Sequence, residues 1–160
     1  MIGGGGQIAP YHAGLEVIAK KLSNGYSADF QLVAAAGGLS GFNQGRFIPI
    51  NLEEIEPDRP GNNAGADRAH FADTNTIGRI IHNHNIHGMV IVGGDNHLGE
   101  ANKLAEVNLP VVGFPKTMDG DGGGLVSVGY ASAVYHASQA IRAHHHTAMT
   151  HGRVFFVGLF

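Results

Sequence analysis

Gly88-Met89-Val90-Ile91-Val92-Gly93-Gly94-Asp95-Asn96-His97 and, one helix further on, Val111-Val112-Gly113-Phe114-Pro115-Lys116-Thr117-Met118-Asp119-Gly120-Asp121 decide how this chain folds. Met89 to Val92 form a short apolar run, suited to a strand buried on both faces. The run stops at Gly93-Gly94, where Asp95 marks a turn. Residues 97 to 106 read as a helix with Leu98, Ala101, Leu104 and Ala105 on one face. After Pro110 a second apolar strand begins at Val111 and Val112. It ends in Gly113-Phe114-Pro115 and leads into Lys116, Thr117, Asp119 and Asp121. Two strand–turn units thus bring glycines with a carboxylate, and a lysine with two carboxylates, to one sheet edge. In open parallel sheets the carboxyl edge of the strands is where ligands bind.

Phosphoryl transfer suits such an edge. Gly93 and Gly94 carry no Cβ, so their backbone N–H groups can approach phosphate oxygens closely. Asp95 is a candidate ligand for Mg2+, which favours carboxylates together with phosphate oxygens. Lys116 is a point charge suited to a transferring phosphoryl group, and Asp119 or Asp121 is placed to accept a proton from an attacking hydroxyl. The same residue types also dominate ordinary turns. Their tandem occurrence after two buried strands is what favours function.

Val-Gly-Gly-Asp at 92–95 and Pro-Lys-Thr-Met-Asp-Gly-Asp at 115–121 together resemble the phosphofructokinase family. Gly-Gly-Asp alone also resembles NAD kinases and lipid kinases; the second motif separates them. The resemblance implies an α/β fold of Rossmann-like type, a mostly parallel sheet with helices on both faces, as in a phosphofructokinase N-terminal domain. It implies Mg2+-dependent glycolytic transfer of a phosphoryl group from pyrophosphate or ATP to the 1-hydroxyl of fructose 6-phosphate. Asp119 would be the base, Thr117 would position the acceptor, and Asp121 would assist charge placement or metal binding. Two positions bear on the donor. In the family, a glycine after Gly-Gly-Asp leaves room for the α-phosphate of ATP, and this chain has Asn96 there. Pyrophosphate enzymes carry lysine before Thr-Ile-Asp, and this chain has Lys116, so the resemblance is closer to the pyrophosphate-dependent type.

The chain's 160 residues allow one domain, 1–160, with a sizeable core. A net charge of −3 argues against a general nucleic-acid surface. Cysteine is absent, which removes disulfides and thiolate zinc sites. No apolar run of about 18 residues and no signal-peptide pattern occur, so the expectation is a cytoplasmic protein without a membrane segment.

From the start, Met1-Ile2 leads into Gly3-Gly4-Gly5-Gly6, and a helix then runs to about Ser23 with Leu15, Ile18, Ala19 and Leu22 on one face. Strand remnant, glycine loop and helix make a phosphate-loop layout. It resembles the family's opening donor loop, implying Gly5 and Gly6 as donor contacts, although Tyr11 stands where a glycine is usual. Phe30 to Ala36 reads as a strand ending in a flexible turn at Gly37 to Phe42. Residues 43 to 73 are irregular and polar. Within them Gly65-Ala66-Asp67-Arg68 loosely resembles the family's Gly-Ser-(Ala or Ser)-Arg motif, making Arg68 a candidate contact to the transferring phosphoryl group.

Thr74 to Asn85 reads as a helix capped by Asp73, with Ile77, Ile80 and Ile81 on one face. A further helix spans about Tyr130 to Ala143, with Tyr130, Val134, Ala137 and Ile141 on one face. His144, His145, His146 and His151 crowd its end, where cationic groups suit the helix dipole. Arg153 to Phe160 reads as a buried final strand. The resemblance covers only the N-terminal half of a usual phosphofructokinase and leaves out the sugar-phosphate domain. Two expectations follow: an enzyme whose second half is supplied elsewhere, or a non-catalytic nucleotide- or phosphate-binding domain. Family members self-associate, so a homo-oligomer is part of the first expectation.

Overall fold

The computed structural model describes residues 2–3, 14–21, 31–51, 64–119 and 127–158. Six strands and five helices occur in it: β1 (Ile2–Gly3), α1 (14–21), β2 (Val33–Ala35), α2 (Leu39–Asn43), β3 (Phe47–Pro49), α3 (Thr74–Asn83), β4 (Met89–Gly93), α4 (Asp95–Glu106), β5 (Val111–Thr117), β6 (Val128–Gly129) and α5 (Tyr130–His151). A four-stranded sheet has the order β1-β4-β5-β6, every pair parallel. A second, antiparallel sheet pairs β2 with β3.

The apolar run at β4 becomes the shared wall of two cores because alternate residues of a strand face opposite ways. Met89 and Ile91 join Leu39, Phe42, Phe71, Ile77, Ile80 and Leu104 on one face. Val90 and Val92 meet Leu15 of α1 on the other. Helices therefore lie on both faces, as an α/β arrangement requires. Asp73 caps α3 by accepting from the Thr76 backbone N–H at 3.0 Å. This satisfies one of the four N–H groups a helix start leaves open.

Several expectations are corrected. The stretch from Gly37 to Phe42 is not only a turn: Gly37 and Gly38 take φ of 84° and 78°, and Leu39 then opens α2, whose Leu39 and Phe42 are fully buried. The strand expected over 30–36 is three residues long and pairs antiparallel with β3, which lies inside the segment read as irregular. α4 starts at Asp95 rather than at residue 97, and its buried positions are His97 and Leu104, while Ala105 is exposed. β5 runs through Gly113 and Pro115 to Thr117, so Lys116 and Thr117 belong to the strand itself.

At the far end, α5 continues through His144, His145 and His146 and stops only at Gly152, whose left-handed φ of 58° and ψ of 35° ends the helix. Only His151 lies in its last turn, so the dipole account does not extend to the earlier histidines. Residues 153–158 form no strand and are exposed, Phe156 at 96%. Apolar content does not make a strand without a ladder partner. The chain here turns back on α5 instead, with Arg153 N–H donating to the Ala148 carbonyl and Phe155 stacked on His144 at 4.8 Å. No described helix is long and apolar enough to cross a membrane.

Candidate functional site

The carboxyl ends of β4 and β5 lie side by side because the register pairs Val92 with Phe114 and Gly93 with Pro115. Gly94, just past the end of β4, and Lys116 and Thr117, the last residues of β5, therefore lie at one edge. A Cβ built on Gly94 would come within 3.4 Å of the Thr117 Cβ, so the two turns are in van der Waals range. Gly94 also precedes α4, whose first residues are Asp95 and Asn96, both exposed. A helix start offers unpaired N–H groups and a partial positive charge, which suits an anion at this edge.

Gly93 has a steric reason to be glycine. A Cβ there would fall 2.7 Å from the His97 Cβ and 3.0 Å from its Cγ. The backbone must pass this close for the strand to turn directly into α4, because His97 is buried beneath the turn. Lys116 is also buried, at 8% exposure, and burial holds its ammonium below the usual lysine pKa. A cation with little water around it interacts strongly with an incoming phosphate.

Thr117 and Asp119 form a closed local unit. The Thr117 hydroxyl donates to Asp119 Oδ2 at 2.8 Å, and the Asp119 N–H donates back to Thr117 Oγ1 at 3.1 Å. Ser127, itself buried, donates from Oγ to the Thr117 carbonyl at 2.7 Å. This ties the residue before β6 to the end of β5. The Asp119 carboxylate is thereby oriented while staying exposed to a reactant.

Arg68 is exposed and sits on a segment fastened at several points. Asp67 accepts from the backbone N–H of Leu39, Ser40 and Ala69 at 3.1, 2.8 and 3.3 Å. Burial works to raise the pKa of this carboxyl, but the bonds from Ser40, Ala69 and Leu39 outweigh it and hold it low. Asn43 of α2 donates to the His70 carbonyl and accepts from Ala72 N–H. Glu100 of α4 accepts from Phe71 N–H at 2.8 Å and pairs with Lys103 at 2.9 Å. α2 and α4 thus clamp both sides of the loop that carries Arg68.

Of the residues singled out in the sequence, Gly93, Gly94, Asp95, Asn96, Lys116, Thr117 and Asp119 stand at the ends of β4 and β5 or the start of α4. Arg68 stands on the clamped loop, while Gly5, Gly6 and Asp121 lie outside the described residues. His97, Asp67, Ser127 and Glu100 were missed. Only Asp67 had a local signal, since it adjoins Arg68; the others act through contacts distant in sequence. Among the described residues no three acidic or histidine side chains converge as a metal cage. A single exposed carboxylate at the start of α4, Asp95, still fits Mg2+, which is commonly held by one or two carboxylates with water and phosphate oxygens completing the shell.

Residues 5–159 match the phosphofructokinase family, and the chain belongs to it. It is 28% identical over 161 residues to a pyrophosphate–fructose 6-phosphate 1-phosphotransferase of Amycolatopsis mediterranei and 27% identical over 160 residues to an ATP-dependent 6-phosphofructokinase of Streptococcus uberis. Each alignment covers 96% of this chain and 47% of the relative, so the chain spans about half the length of these curated relatives. The fold is shared with Pichia pastoris phosphofructokinase in the T-state, at a TM-score of 0.79 with 20% identity over 94% of this chain and 17% of that one. It is also shared with a pyrophosphate-dependent phosphofructokinase from Marinobacter aquaeolei, at 0.71 with 20% identity over 89% and 39%.

Proposed function

We propose that this chain supplies the donor half of a 6-phosphofructokinase site, transferring a phosphoryl group from pyrophosphate or ATP to the 1-hydroxyl of fructose 6-phosphate. The observation that carries the reading is the meeting of the Gly94–Asp95 turn with Thr117 and the buried Lys116 at one sheet edge. Membership of the phosphofructokinase family supports it.

In this proposal Gly93, Gly94 and the first N–H groups of α4 hold the donor phosphates. Asp95, assisted by Asp121, would hold Mg2+, which when bound would neutralise charge on the phosphate oxygens. Lys116 stabilises charge that develops on the transferring group. Asp119 takes the proton as the sugar hydroxyl oxygen attacks phosphorus, and the bond to the leaving phosphate breaks. Thr117 orients Asp119 through the 2.8 Å bond. Arg68 steadies the same phosphoryl group from its clamped loop. A cytoplasmic location belongs to the same proposal.

Catalysis requires both reactants held in line. The half of the relatives that this chain does not cover is proposed to complete the acceptor side, so the chain alone binds donor without turnover. The donor is proposed to be pyrophosphate: Asn96 adds bulk where an α-phosphate would pass, and Lys116 adds charge at the transferring group. The test compares pyrophosphate with ATP, using fructose 6-phosphate and magnesium, on the chain joined to a relative's second half. Turnover with pyrophosphate is expected. Turnover with ATP alone would reverse the donor assignment, and binding of neither donor by the chain would reduce it to a diverged domain.

A further inference from the structure

The Glu100 side chain, on α4, is only 13% exposed, and both of its carboxylate oxygens are engaged. Oε2 accepts from the Phe71 backbone N–H at 2.8 Å and pairs with Lys103 at 2.9 Å. Oε1 faces His70 Nδ1 at 3.0 Å. Lys103 Nζ in turn donates to the Phe71 carbonyl at 3.4 Å. Two side chains three residues apart on one helix thus take the N–H and the C=O of a single loop residue, as a neighbouring strand would. An exposed ion pair at this spacing contributes little by itself. Shielding a carboxylate from water is costly unless it is paired and hydrogen-bonded, and here the partners offset that cost. Burial works to raise the Glu100 pKa, but Lys103, the Phe71 N–H and His70 outweigh it and hold it low. The Phe71 ring is buried beside Phe42, so the gripped residue is also anchored in the core.

We propose that Glu100 is a positioning residue of the donor site, whose carboxylate, with Lys103, grips the Phe71 main chain and so holds Arg68 within reach of a phosphate bound at the start of α4. This rests on the donor-site reading above. Asp67 and Asn43 tie the same loop to α2, which does not carry the turn that would meet the phosphates. Glu100 and Lys103 belong instead to the helix that begins at Asp95. Glu100 stands five residues from that start, about 7.5 Å along the helix axis. Three extended residues span at most about 11 Å, so the grip at Phe71 limits how far Arg68 strays from the turn. One rigid helix thereby sets both the donor-facing amides of its first turn and the loop that carries the arginine. Releasing Phe71 leaves the loop tied to α2, so the chain is expected to fold with Arg68 less restrained.

The experiment is a double-mutant cycle of Glu100→Ala with Arg68→Ala in the chain as it stands. Calorimetric titration uses sodium pyrophosphate with magnesium chloride, and urea unfolding is measured on the same four proteins. Glu100→Ala is expected to weaken pyrophosphate binding by about five- to tenfold, but by less than about twofold once Arg68 is already Ala. Its cost in urea should be the same in both backgrounds, a pattern that a merely structural role would not give. Glu100→Gln is the rescue and should stay within about threefold of the parent. Its carbonyl oxygen can still accept from Phe71 N–H, while its NH2 group faces His70 Nδ1, an acceptor in the other tautomer. Should Glu100→Ala not fold, Glu100→Asp, which draws the carboxylate back by one methylene, takes its place in the cycle. Parental affinity in the Glu100→Ala or the Arg68→Ala protein, or as large a loss after Arg68→Ala as before it, overturns the proposal. So does a Gln protein as weak as the Ala one, which would put the effect on charge rather than on the grip. A parent that binds neither pyrophosphate nor ATP sinks the donor-site reading and this inference together, whereas a binding parent with any of those results sinks the inference alone.

Discussion

Replacing Asp67 by alanine removes a carboxylate that three backbone N–H groups share, two of them at the start of α2. Gly38, the residue before α2, has no side chain to take their place. Loss of a helix cap costs about 1 kcal/mol, and the third bond, to Ala69, adds roughly as much, so about 2 kcal/mol is expected. For a chain of this size that lowers Tm by about 4–8 °C. Urea unfolding followed by circular dichroism measures it. The pH dependence is a second reading of the same residue. The Asp67 pKa is lower in the folded chain than its ordinary value, so its contribution is complete above the unfolded pKa of about 3.9 and is lost as pH falls through the folded one. The stability gap between the parent and Asp67→Ala should be level from neutral pH down to about 5 and close below about 4. An unchanged urea midpoint, or a gap that widens on acidification, refutes the capping role.

Gly93→Ala places a methyl 2.7 Å from the His97 Cβ, and since that atom is fixed to the backbone of α4 the turn must move; a loss of about 1–3 kcal/mol in urea unfolding and weaker pyrophosphate binding are expected, and parental values for both would count against a tight turn here. Asp119→Ser, in the chain joined to a second half, should lower kcat by about two to four orders of magnitude with donor affinity nearly kept, as read by steady-state kinetics beside calorimetry. Full kcat in that protein would remove Asp119 from the proton-transfer step.

What could be seen in the sequence was whatever depends on neighbours close along the chain. Met89 to Val92 announced a strand covered on both sides, and Asp73 announced a helix start that it caps three residues on. The strand ends at Gly93 and near Lys116 followed from the same pattern. α2 was hidden because its cap, Asp67, comes from 27 to 28 residues away and its core residues stand among glycines that read as a turn. His97 was hidden because the apolar pattern gave its place on the buried face to Ala105. The strand expected after Arg153 shows the reverse error: local composition favoured it, but β structure is decided by a neighbouring ladder.

β4 divides its side chains between two cores, Met89 and Ile91 on one side and Val90 and Val92 on the other. Neighbours along this strand therefore share a backbone but no packing. Residues in contact usually show coupled substitution energies. Here Ile91 and Val92, adjacent in sequence, belong to separate accounts of packing: trimming both should cost nearly the sum of trimming each. Ile91 and Leu104, distant along the chain but in one core, should instead be energetically entangled. For this strand, parity rather than proximity decides which substitutions can compensate one another.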